Sequence, residues 1–153
     1  SHDIGETFVG DISQFRQLKG FGGDKHVIEQ QEIEKITKFM PQKTSRRLCK
    51  YFKEFEKPIE EITNLEALVA KLIDTIQGNH FALVFAEELS ENKNSDSVKK
   101  IVERTAVRAA NQLLKVLKQK KHTKAYKEVL ALVNHHLDFY RKLGIKIGFN
   151  YSI

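Results

Sequence analysis

Between Ser97 and Lys121 two opposed residue patterns share one period, and this stretch constrains the fold more than any other. Val98, Ile101, Val102, Thr105, Ala109, Leu113, Val116 and Leu117 recur at helical spacing and line one face with largely apolar side chains. Lys100, Arg104, Arg108, Asn111, Lys115 and Lys118 fall across from them and make a nearly continuous basic stripe. One face needs a core, and the other needs water or an anion. The rest of the chain is therefore expected to supply helices that pack against the apolar face.

The length of 153 residues suits one domain, and residues 1–153 are expected to bury a core without help from disulfides or metal. With 41% hydrophobic and 30% charged residues there is no long uncharged apolar run and no secretory leader pattern, so the reading is a soluble, intracellular chain that does not span a membrane. The lone Cys49 cannot close an internal disulfide. Ser1-His2 without an initiator Met suggests a vector remnant on a trimmed chain. Charge is divided unevenly: twelve Lys and Arg face sixteen Asp and Glu up to Asn92, against fourteen and four from Lys93 onward. A positive second half attracts phosphate backbones, anionic lipid or an acidic protein surface, and charge alone does not choose among them.

Taken in order, residues 1–23 hold five of the eight glycines and are expected to be irregular, with a short strand around Thr7 to Ile12. Gly20-Phe21-Gly22-Gly23 enters a helix capped by Asp24 and running to about Met40. Asp24 stands where a phosphate loop needs a cation, which argues for a hinge and cap. A second helix starts at Ser45, a third at Pro58 and ends at Gly78, and a fourth starts at Asn79. The run Phe81-Ala82-Leu83-Val84-Phe85-Ala86 is apolar on every side, which predicts the central rod of the domain. Residues 90–96 form a loop between the acidic and basic halves, followed by the fifth helix, a basic turn, and a sixth helix from Thr123 to about Leu143. Residues 145–153 alternate apolar and polar, the period of a strand, which would pair with the N-terminal segment, a second copy or a partner chain. The predicted fold is thus mainly α, a compact bundle of about six helices with one short C-terminal strand.

Six histidines invite a metal or catalytic reading. No His-Glu-x-x-His or Glu-x-x-His occurs, and one cysteine excludes the usual thiolate zinc sites. His135 and Asp138 are the best-placed local pair, a spacing more often used for a surface hydrogen bond. Cys49 lies among Arg46, Arg47 and Lys50, which could activate a thiol, but no residue is assignable as its base. The sequence reading assigns no catalytic residue, no metal ligand and no cofactor. Binding is better supported: Lys100, Arg104, Arg108, Lys115, Lys118, Lys120, Lys121, Lys124 and Lys127 form one basic ridge along helix, turn and next helix. The expectation is a non-enzymatic interaction module presenting that ridge to an acidic protein partner, with nonspecific RNA or DNA binding as the alternative and self-association through the C-terminal strand.

Overall fold

The computed structural model describes residues 25–89 and 95–151, with the side chains of 25, 26, 28, 81–89 and 95 left aside. Among the described residues the fold is mostly helical and contains no strand. The chain clusters into two compact units, Ser1–Pro58 and Ile59–Ile153. The expectations for residues 1–24, including the short strand and the glycine loop, lie outside the described residues.

The first unit contains α1 (Lys25–Thr37) and α2 (Gln42–Phe55), with Pro41 in the N-cap position of α2. Proline fits a helix start because it has no N–H to leave unpaired. Ile33 of α1 and Phe52 of α2 are buried, while Val27 is exposed. Thr37 Oγ1 lies 3.6 Å from Cys49 Sγ.

The second unit begins with a 3-10 turn, Ile59–Glu61, followed by α3 (Leu65–Leu89). Two sequence expectations are corrected here. The helix does not begin at Pro58: Asn64 Oδ1 accepts from the Ala67 N–H at 2.9 Å and caps α3 one turn later. Nor does Gly78 end it, so the expected third and fourth helices are one. Gly78 stays helical because Ile76 and Asn79 on either side remain engaged with the core.

Next comes α4, residues 95–119, built from Ser95–Val102, a π-helical turn Glu103–Val107 and Arg108–Gln119. Residues 95 and 96, expected in the loop, are already helical, and 90–94 lie outside the described residues. The chain then forms α5 (Thr123–Lys142). The core gathers Leu68 and Leu72 of α3, Val102, Ala109, Leu113 and Leu117 of α4, and Val133, Leu137 and Tyr140 of α5.

α4 is the central element of this unit. Val107, Ala110 and Leu114 are buried along with most of the predicted stripe, while Lys100, Arg104, Arg108, Lys115 and Lys118 face solvent. The predicted rod at 81–86 is helical, and its side chains lie outside the described residues. Residues 145–151 take no strand. Their alternation serves a different surface: Ile147 is buried in the helical core, Ile145 and Phe149 pack beside it, and Gly148 N–H donates to Glu103 Oε1 at 3.2 Å.

Candidate functional site

All nine residues of the predicted basic ridge lie in the second unit and are exposed. Lys100, Arg104, Arg108, Lys115 and Lys118 lie on α4. Lys120 and Lys121 occupy the turn, and Lys124 and Lys127 the first turns of α5. They are not equally free. Arg108 grips Glu60 with both arms of its guanidinium, Nη2 donating to Oε2 at 2.6 Å and Nε to Oε1. This contact holds the Glu60 carboxyl below its usual pKa. Lys124 approaches Glu128 at 4.0 Å. Asn111, placed by its spacing on the basic stripe, is half-buried, and its Oδ1 has no hydrogen-bond partner.

Among the described residues the histidines form no metal-holding group with carboxylates. Asp138 is taken by Arg141 on the next turn, which leaves the His135/Asp138 pair unmade. His80 is exposed and stacks on Phe139 with ring centroids 5.4 Å apart. His136 is buried, packs edge-on against Tyr140 at 5.1 Å, and leaves its Nε2 without a partner. Burial lowers its pKa, assisted by His80 and His135. Cys49 is half-buried beside Thr37. Among the described residues no group of three or more His, Cys, Asp or Glu side chains could hold a metal ion. No helix among them is long and apolar enough to cross a membrane.

A family model described as an HD domain matches residues 1–115. The chain belongs to the HD-domain family. Neither the curated proteins nor the solved structures contain a match to it. HD domains form a family of metal-dependent phosphohydrolases, and membership overturns the expectation of a non-enzymatic scaffold that works only by surface contact. The family label spells a His-Asp pair in one-letter code, and His2-Asp3 is the single such pair in this sequence. His2 therefore falls inside the family segment.

Sequence reasoning passed over this pair because it searched for donors spaced along one helix. A His-Asp pair gives adjacent donors, and any others must come from distant positions. The available signal was the pair itself, with Glu6 and Asp11 close behind. An imidazole and a carboxylate suit a divalent transition metal, but both residues lie outside the described part of the structure. The described residues of this HD domain do not by themselves make a metal centre.

Proposed function

We propose that this chain carries a metal-dependent phosphohydrolase centre in which His2 and Asp3 are metal donors. The observation behind the reading is the HD-domain match over residues 1–115, which includes the His-Asp pair. A divalent cation at such a centre polarises a phosphoryl oxygen and makes bound water a better nucleophile near neutral pH. The chain's own part is to offer a neutral imidazole and an ionised carboxylate. Since an imidazole must be deprotonated to bind, metal affinity should decline in acid.

The test is phosphate release from a panel of phosphate monoesters with Mn2+, Co2+ or Mg2+ added, alongside calorimetric titration of each metal. The expected result is hydrolysis abolished by chelation and restored by metal. His2→Ala and Asp3→Ala should each lower kcat/KM at least about 100-fold and weaken metal binding about 10- to 100-fold. Hydrolysis indifferent to chelator, or variants that bind metal as the parent does, would overturn the assignment.

A further inference from the structure

Four rings stand in line where α5 meets α3. His80 of α3 contacts Phe139 at 5.4 Å, Phe139 meets Tyr140 edge-on at 6.1 Å, and Tyr140 meets His136 edge-on at 5.1 Å. The outer rings, His80 and Phe139, are exposed, whereas His136 is only 8% and Tyr140 0% exposed. Two buried polar atoms in this ladder, His136 Nε2 and Tyr140 Oη, have no hydrogen-bond partner among the described residues. A neutral imidazole tolerates such a site at modest cost. An imidazolium does not, because it would bury a charge together with an unsatisfied N–H donor.

The groups that face His136 make protonation harder still. His80 approaches from α3 and His135 from its own helix, and each works against a charge on His136. α4 brings no charged group to the ring among the described residues, and the nearby carboxylate of Asp138 is held by Arg141. Nothing described here compensates a positive charge on His136.

We infer that this ladder is an acid-operated latch, in which protonation of His136 loosens the second half of α5 from the helical core of the second unit. Burial lowers the pKa of His136 in the folded chain, with His80 and His135 adding to the effect. A depressed histidine value means that the open form binds the proton more readily. The latch is at full strength above about pH 6.5 and weakens as pH falls below it. α5 lies beyond residues 1–115, so the latch acts on a part of the chain outside the family match and does not depend on the phosphohydrolase reading.

Hydrogen exchange of the amides in residues 136–151 of the full chain, compared at about pH 5 and about pH 7.5 after correction for intrinsic rates, tests the latch. Protection should be lower at the acid pH than near neutrality, because the open form binds the proton more readily. His136→Phe, which keeps the ring and removes the proton site, should show equal protection at both pH values. His80→Gln, which removes one like charge, should show a smaller fall than the parent. Equal protection of the parent at both pH values, or an undiminished fall in His136→Phe, would overturn the latch. Proton NMR titration of the His136 ring supplies a reading on the parent alone: a midpoint below about 6.5 supports the latch, and one at or above it refutes it.

Discussion

Two helix ends in the second unit close with the same motif and different residues. At the end of α5 the Gly144 N–H donates to Arg141 O and the Ile145 N–H to Tyr140 O, each at 3.0 Å, with Gly144 at φ 78°. At the end of α4 the Lys121 N–H donates to Lys118 O at 3.1 Å and the His122 N–H to Leu117 O at 3.0 Å, with Lys121 at φ 58°. Both are Schellman caps, whose left-handed residue is ordinarily glycine. Lysine pays for its Cβ there by about 1 kcal/mol. Lys121→Gly should therefore raise stability by about 0.5–1 kcal/mol, seen as a Tm increase of about 2 °C by circular dichroism. Gly144→Ala should lower it by a similar amount although a Cβ at Gly144 meets nothing within 4 Å, because its cost is conformational. A fall in Tm for Lys121→Gly would show that the lysine is needed in the turn. The Gly144 stop was legible from sequence because glycine signals this conformation, and the Lys121 cap was not because lysine does not.

Among the elements, α4 organises the second unit by two kinds of contact. Its apolar sides meet α3 and α5, and its polar side chains pin the turn before α3: Gln112 Nε2 donates to Glu60 O at 3.0 Å and to Ile62 O at 2.9 Å, while Arg108 grips the Glu60 carboxylate. The two grips should differ in strength. Gln112 is 8% exposed, and Gln112→Ala strands the buried Ile62 carbonyl, a loss of about 1–3 kcal/mol. Arg108 and Glu60 have side chains 53% and 55% exposed, so water and salt screen the pair, and Arg108→Ala should cost less than about 1 kcal/mol. Urea denaturation of the two variants would reveal the order, and a larger loss for Arg108→Ala would refute it. The Glu60 carboxyl is held low, so the pair's share is present above about pH 4.3 and declines as pH falls toward the folded value. The period of α4 was readable. That Arg108 is committed to Glu60, 48 residues away, was not, because periodicity describes a helix and carries no information about its partners.

At the scale of the molecule, the family segment and the folded unit do not end at the same place. The HD-domain match stops at residue 115, within α4, whereas the core of the second unit draws on Leu117 of α4, on Val133, Leu137 and Tyr140 of α5, and on Ile147 of the tail. The α5 contribution was visible as a 3.6-residue repeat. The use of the tail was mistaken for a strand because alternation specifies which residues turn inward, and a helical core accepts them as readily as a neighbouring strand. Each of those large side chains stabilises by about 1.5–3 kcal/mol when fully buried, and together they rival the 5–15 kcal/mol by which a whole domain is typically stable. A chain of residues 1–115 should therefore lack a cooperative transition in scanning calorimetry and bind a hydrophobic dye, while residues 1–153 melt in a cooperative transition. A chain of residues 1–144 separates the two contributions: it retains α5 and loses the burial of Ile147, so it should still melt cooperatively at a lower temperature. A cooperative melt of residues 1–115 would show that the matched segment folds without α5 and that the C-terminal helix is an accessory to it.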